Sequence, residues 1–488
     1  MMKMKPAKII LTLIAVAILT ATFFSLTQQN SREYNVVLIT LDTVSANHLG
    51  IYGYYRNTTP NIDNFAKNSI VYSHAIAQMP LTIPSHVSIL TSQYVHSHGA
   101  IGNTYRVNHS LVMLQKILKE NNYETGGVVS IMLLNRERGW NKGFDFFDDN
   151  FTGKERRADE TTDIALSWLD GNAGEKFFLW AHYYDPHTPY YPPAPYNELF
   201  DKNTEPETIT VYDSDIPKNV TLRYDDSLEI RYDWQAIWNL STDIAPLTAD
   251  DANVTLIKSL LKISELDFEK FMAFYNRKIA LHDGEIAYVD SQIERIFDSL
   301  RQKNLLEKTI VVIVADHGEN FNHGEFFDHG KMFEQDLHVP LILYYPGVEP
   351  KKVDATVSLI DIAPTILRLL NIPPGKEMAG KNLLEISNNC DCVAFSESPY
   401  FKGFLNGRFP GPFARYVNIE NNEWKMFNGT LFNLIEDPDE KVNLYSSMPD
   451  VVQNLTLRIN DFLDRYNQSG HSIEQSNLEV LKRLGYVN

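Results

Sequence analysis

The sequence predicts an α/β protein with a mainly parallel central sheet flanked by helices, followed by a small antiparallel α+β subdomain. Three observations predict it. Continuous apolar, β-branched runs from Asn35 to Leu41 and from Lys308 to Ala315 read as central strands buried on both faces. Helical periodicity lies between such runs, from Leu111 to Glu120, from Arg157 to Leu169 and from Phe271 to Gln302, which is the alternation of a βαβ sheet. Near the end, short strand-like runs from Phe413 to Val417 and from Glu423 to Phe427 precede a helical stretch from Val451 to Tyr466.

Taken in order, the chain opens with Lys3, Lys5 and Lys8 ahead of an uncharged run from Ile9 to Leu26. This is the pattern of a signal peptide or a single membrane anchor. The run is close to the lower limit of the ~17–25 residues of a spanning helix, and the leading lysines favour a cytoplasmic N-terminus with the rest exported. No small-x-small cleavage site follows, which favours a retained anchor, and no cysteine follows to carry a lipid. Residues 1–33 are therefore set apart from a main domain over 34–391 and a C-terminal subdomain over 392–488. The stretch from about 200 to 269, with little periodicity, reads as an insertion or lid in the main domain. Sequons at Asn57, Asn108, Asn150, Asn219, Asn239, Asn253, Asn428, Asn454 and Asn467 suit an exported glycoprotein.

Further strands are expected from Phe177 to Ala181 and from Val339 to Tyr344. In sheets of this kind ligands bind beyond the carboxyl ends of the strands. The first strand ends at Asp42 and the later one at Asp316 and His317, so candidate metal ligands stand at that edge.

Composition excludes several roles. With 44% hydrophobic and 22% charged residues the 488-residue chain has ample material for a core, and disorder is not its default. A formal net charge of −18 excludes nucleic acid as the expected partner. An anionic substrate would need a local cation to overcome that field. Cys390 and Cys392 are the only cysteines; one residue apart, they are expected to be structural thiols.

Chemistry concentrates in four segments. Asp42 and Thr43 close the first strand, followed by His48-Leu49-Gly50 and by Thr59-Pro60-Asn61. Thr82 precedes Ile83-Pro84-Ser85-His86 and a probable helix over Val87 to Thr91, which would place its hydroxyl near a helix N-terminus where free N–H groups favour anions. His182, Asp185 and His187 follow the third run. Asp316-His317-Gly318-Glu319 opens a glycine- and histidine-rich loop with His323, His329 and Lys331, a layout of carboxylate and imidazole ligands at a strand end.

These segments together resemble the sulfatase family of the alkaline-phosphatase-like superfamily, from Asn35 almost to the C-terminus and least between Phe200 and Glu269. The resemblance implies a hydrolase of sulfate or phosphate esters in which Asp42, Asp316 and His317 bind a divalent metal ion, calcium, manganese or zinc. Thr82 stands where most sulfatases carry the cysteine or serine that matures to formylglycine. A threonine cannot yield that aldehyde, so the resemblance implies a metal-activated threonine nucleophile. It further assigns His187 to the leaving group or to charge stabilisation, and His329 with Lys331 to the ester's anionic oxygens. His182 and Asp185 are secondary candidates.

The match has departures. Thr43 stands where many members have a second acidic ligand, Ser45 and Asn47 replace a common Arg and Asp, and His86 replaces an arginine. Phosphodiester hydrolysis or phospho-group transfer on lipid- or glycan-linked substrates is one alternative, and a catalytically silent surface protein of the same fold is another. The expected partner is a sulfated or phosphorylated small molecule, glycan or lipid, met by an extracytoplasmic catalytic domain tethered to, or secreted from, the membrane.

Overall fold

A computed structural model describes residues 34–107, 110–202, 265–321, 329–388, 390, 392–398, 414–420, 423–427 and 429–468. The expected N-terminal anchor, most of the expected insertion, His323 and the sequons at Asn108, Asn219, Asn239, Asn253 and Asn428 lie outside them. Among the described residues no helix is long and apolar enough to cross a membrane.

The centre is an eight-stranded sheet. Its strands are β1 (Asn35–Leu41), β2 (Ile70–Ile76), β3 (Glu124–Val128), β4 (Phe146–Asp148), β5 (Phe177–Tyr183), β6 (Thr309–Ala315), β7 (His338–Tyr344) and β8 (Lys351–Ser358). Their order is β4-β3-β5-β1-β6-β7-β2-β8, with β7 antiparallel to both neighbours and every other pairing parallel. The four apolar runs legible in the sequence are thus the four adjacent strands β5, β1, β6 and β7. Strands β2, β3, β4 and β8 were not expected: Gly126 and Gly127 interrupt β3, β4 has three residues, and β2 and β8 mix polar with apolar residues.

All seven residues of β1, β5 and β6 are buried, and each Val, Leu or Ile so placed contributes about 1.5–3 kcal/mol. Helices cover the sheet: α1 (Pro60–Ala66), α2 (Thr82–Thr91), α3 (Ala158–Asn172) and the long α4 (Glu265–Gln302). Phe65 of α1 stacks on Phe297 of α4 at 4.0 Å between ring centroids. An aromatic layer of Trp140, Phe144, Phe178 and Trp180 fills the core below the strand ends.

A second sheet of four antiparallel strands, β9 (Val393–Ser398), β10 (Ala414–Glu420), β11 (Trp424–Phe427) and β12 (Thr430–Asn433), precedes a final helix at Pro449–Gln468. Lys425 of β11 is fully buried between Glu334 and Glu440, at 3.0 and 2.8 Å. Glu334 opens the short helix Glu334–Leu337 that leads from the histidine-rich loop into β7. This triad ties the C-terminal sheet to that loop.

One expectation is corrected here. Cys390 and Cys392 are joined as a disulfide and are not thiols. A turn from Ser387 to Cys390 folds the segment so that the two Cα atoms stand 5.1 Å apart, within bridging reach.

Candidate functional site

Strand register builds the site. In the β1–β6 pairing Leu41 lies opposite Ala315, so the residues that follow each strand, Asp42 and Asp316, emerge side by side. The ladder continues past the strand ends, with Asp42 N–H donating to Tyr183 O and Asp316 N–H to Leu41 O. On the other flank Thr40 lies opposite His182 of β5. Ligand atoms of Asp42, Asp316 and His317 all fall within 4.8 Å of one another, and all three residues are buried.

The donors are arranged to face inward. Gly318 O accepts a hydrogen bond from His317 Nδ1 at 3.0 Å, which leaves the Nε2 lone pair 3.9 Å from Asp42 Oδ1 and 3.5 Å from Asp316 Oδ2. Ser130 N–H donates to His182 Nδ1, so the proton of this ring sits on Nε2, 3.4 Å from Asp42 Oδ2. Both Asp42 carboxylate oxygens, Asp316 Oδ2, His317 Nε2, His182 Nε2 and Thr82 Oγ1 are buried without a hydrogen-bond partner. Buried polar groups are seldom left so. A divalent cation would satisfy the two carboxylates and the neutral His317 imidazole, with the hydroxyl of Thr82 beside them.

Electrostatics carry the same signature. Burial, with the charges of Asp316 and Glu319 added, pushes the Asp42 carboxyl well above its ordinary value, and only Thr82 opposes it. Burial also opposes ionisation of Asp316, but His317, His86 and His182 outweigh it and hold this carboxyl at about 2. Two adjacent buried carboxylates without a cation split in this way. Burial depresses His317 to about 4 and keeps the imidazole neutral, the form that ligates.

Thr82 occupies the first turn of α2, with Leu81 as the N-cap, so the helix begins five residues before the sequence suggested. Free N–H donors were expected there, and three of the first four helical positions supply none. Ile83 N–H is taken by Asn103 Oδ1 and Ser85 N–H by Leu81 O, while Pro84 has none. The helix therefore offers Thr82 its dipole more than open donors. His86 bonds the Thr82 carbonyl at 2.8 Å and stands 3.3 Å from Asp316, in the core and not facing a ligand. Its other nitrogen meets Thr40 Oγ1, which also accepts from Trp180, so the aromatic layer braces α2.

On the open side, His187 stacks on Tyr184 at 4.5 Å and meets His329 edge-on at 5.1 Å; His329 in turn lies 4.6 Å from His317. The Thr188 carbonyl accepts from His187 Nδ1 at 2.6 Å. Lys331 is buried two residues beyond His329. Asp185 is turned away: its Oδ1 accepts Ala158 N–H at the start of α3, and it stands outside the cluster as a helix cap.

Sequence reasoning missed three contributors, His282, Glu319 and Asp283. Thr43 follows Asp42 with φ of 54°, a strained conformation for a β-branched residue, and its carbonyl meets His282 Nε2 of α4 at 3.1 Å. Glu319 is fully buried against His329. Asp283, held by His48, Tyr54 and Arg56 at 2.7 Å each, pins the loop after β1 to α4. The histidine and aspartate of α4 lie in a helical pattern far along the chain, and nothing local announced them.

Fold and site together define an α/β scaffold with a buried carboxylate–imidazole cluster beside a hydroxyl at the strand ends. Comparison with known proteins names the family. The profile of the family described as Sulfatase matches residues 34–372, and the chain belongs to the sulfatase family, hydrolases acting on ester bonds. A second profile, described as N-sulphoglucosamine sulphohydrolase, C-terminal, matches residues 322–465. Arylsulfatase K of Rattus norvegicus is 23% identical over 490 residues, covering 92% of this chain and 81% of that protein. Among solved structures, one in complex with its substrate D-glucosamine-2-N,6-O-disulfate superposes with a TM-score of 0.70 at 19% identity, over 91% of this chain and 100% of the other. The phosphonate monoester hydrolase of Silicibacter pomeroyi gives 0.65 at 19% identity, over 88% and 95%. At these identities the solved structures establish the fold.

Proposed function

We propose that this protein hydrolyses sulfate or phosphate esters of a small molecule, glycan or lipid through Thr82, in an exported domain anchored by its N-terminal segment. The observation that carries the proposal is the convergence of unpartnered buried atoms of Asp42, Asp316, His317 and Thr82 at the ends of β1 and β6. A divalent cation held by Asp42, Asp316 and His317 would supply the charge that lowers the Thr82 hydroxyl pKa and neutralises nonbridging oxygens.

The protein's own groups do the remainder. Thr82 Oγ1 gives up its proton to water and forms the new bond to sulfur or phosphorus. The bond to the leaving oxygen breaks as this bond forms, and that oxygen takes its proton from Nε2 of a His187 imidazolium, whose Nδ1–H is committed to the Thr188 carbonyl. His329 and Lys331 hold the anionic oxygens, and water then cleaves the threonine ester. His182 Nε2 lies 3.4 Å from Asp42 Oδ2, close enough to bias that carboxylate electrostatically without a formed hydrogen bond.

Thr82 itself makes phosphate esters at least an equal reading to sulfate esters. A formylglycine hydrate can eliminate sulfate, whereas a threonine sulfate ester has no such exit and threonine phosphate esters turn over by ordinary phosphoryl transfer. Transfer of the phospho group to an acceptor alcohol is the second reading, and it rests on the same residue. Aryl sulfate, phosphate monoester and phosphodiester hydrolysis by wild type and Thr82→Ala, with calcium, manganese and zinc added in turn, tests both. Loss of all activity in Thr82→Ala is expected, and full activity would remove the nucleophile assignment.

A further inference from the structure

Glu319 is a fully buried carboxylate with no task in the reaction just described. It leaves β6 three residues after Asp316 and is held from several directions. Its backbone N–H donates to Ser45 Oγ at 3.3 Å, and its carbonyl accepts from the same hydroxyl. Its side chain spans two other segments. Oε2 accepts the Tyr190 hydroxyl at 3.0 Å, from the loop that follows β5. Oε1 meets His329 Nδ1 at 3.4 Å, from the histidine-rich loop.

A buried ionised carboxylate is costly unless its lone pairs are satisfied. Two hydrogen-bond partners on two loops, both bordering the candidate site, are more than a packing filler requires. The geometry also constrains the imidazole. A carboxylate only accepts, so the nitrogen facing it must carry a proton, and the other nitrogen points to the opposite side of the ring. His329 is flanked by His187 and His317, so the orientation of this one ring determines which atom the site presents.

We infer that Glu319, anchored by Tyr190, is a positioning residue for His329: its carboxylate accepts Nδ1–H and supports the doubly protonated ring, whose Nε2–H then donates to an anionic oxygen of the bound ester. This rests on the reading of the site as an ester hydrolase with Thr82 as nucleophile. Glu319 acts only through His329 and does not touch the substrate. Tyr190 acts one step further back, by keeping Oε1 turned towards the ring.

A double-mutant cycle on bis(4-nitrophenyl) phosphate and 4-nitrophenyl sulfate tests the inference. Glu319→Gln is expected to lower kcat by about 10–100-fold with KM changed no more than about twofold, the pattern of a contact that strengthens in the transition state. In a His329→Ala background the same substitution is expected to cost nothing more. Multiplicative losses, or wild-type kcat in Glu319→Gln, would overturn it. Should Glu319→Gln fail to fold, Tyr190→Phe keeps the carboxylate and removes one hydrogen bond. It is expected to lower kcat in the same direction by a smaller factor, and to have no effect once His329 is alanine; an undiminished loss there also overturns the inference. Thr82→Ala, run in parallel, separates the two claims. An active Thr82→Ala removes the reading of the reaction, whereas an inactive Thr82→Ala beside a normal Glu319→Gln removes this inference alone.

Discussion

Replacing Lys425 with methionine strikes the contact between the C-terminal sheet and the loop that carries His329 and Lys331. The ammonium is fully buried, 3.0 Å from Glu334 Oε1 and 2.8 Å from Glu440 Oε1. Glu334 N–H also donates to Glu440 Oε2, so the two carboxylates are held close together. At those distances each contact is worth about 5–6 kcal/mol gross at an effective dielectric near 20. Removing the ammonium relieves its own desolvation, and the net loss for breaking such a buried cluster is about 3–5 kcal/mol. The variant leaves two buried acids with no cation between them. Burial already raises Glu440 to about 7 from an ordinary 4.5, even with Lys425 opposing it. The deficit should therefore be largest above that value and shrink as pH falls and Glu440 takes up a proton. Urea denaturation at about pH 8 and about pH 5 measures both. Adding Glu440→Gln to Lys425→Met should recover a large part of the loss at the higher pH. A Lys425→Met variant within 1 kcal/mol of wild type at about pH 8 would refute the reasoning, because the triad would then be solvated and not structural.

Three other outcomes follow from the same structure. Burial, reinforced by Asp185, raises Glu285 to about 9 from an ordinary 4.5. The folded state then binds more protons than the unfolded chain across that window, and stability falls as pH rises through it. Glu285→Gln keeps an acceptor for Tyr191 N–H and should flatten that slope in denaturant titrations; a wild-type slope would count against it. A Cβ at Gly318 would collide with Gln335 O and Ser45 Oγ, so Gly318→Ala should misplace Asp316 and His317 and lower both melting temperature and activity, and a wild-type melting curve would contradict the packing. Finally, a divalent cation at ~100 times its Kd should stabilise the fold by about 2.7 kcal/mol. Chelation should reverse the shift, and insensitivity to calcium, manganese and zinc would speak against the metal cluster.

The sequence alone determined the sheet's centre and which residues stand at the ends of β1 and β6. A strand buried on both faces must be continuously apolar, so β1, β5, β6 and β7 are legible as runs, and the residues ending β1 and β6 follow from them. Asp42, Asp316 and His317 are adjacent because two parallel strands in register end together, which local pattern and strand-end logic anticipate. Peripheral strands were hidden because short or mixed-polarity segments carry no such signal; β4, with three half-buried residues, is the clearest case.

Only the tertiary structure decided how the cluster is braced. Glu319, His282 and Asp283 act through partners 10 to 239 positions away in the chain, and no periodicity encodes which carboxylate meets which imidazole. Asp185 and His182 stand three residues apart in sequence, yet one caps α3 and the other faces Asp42. Side chains on alternate sides of a strand end part company there, and the helix that arrives to meet one of them is brought by the fold.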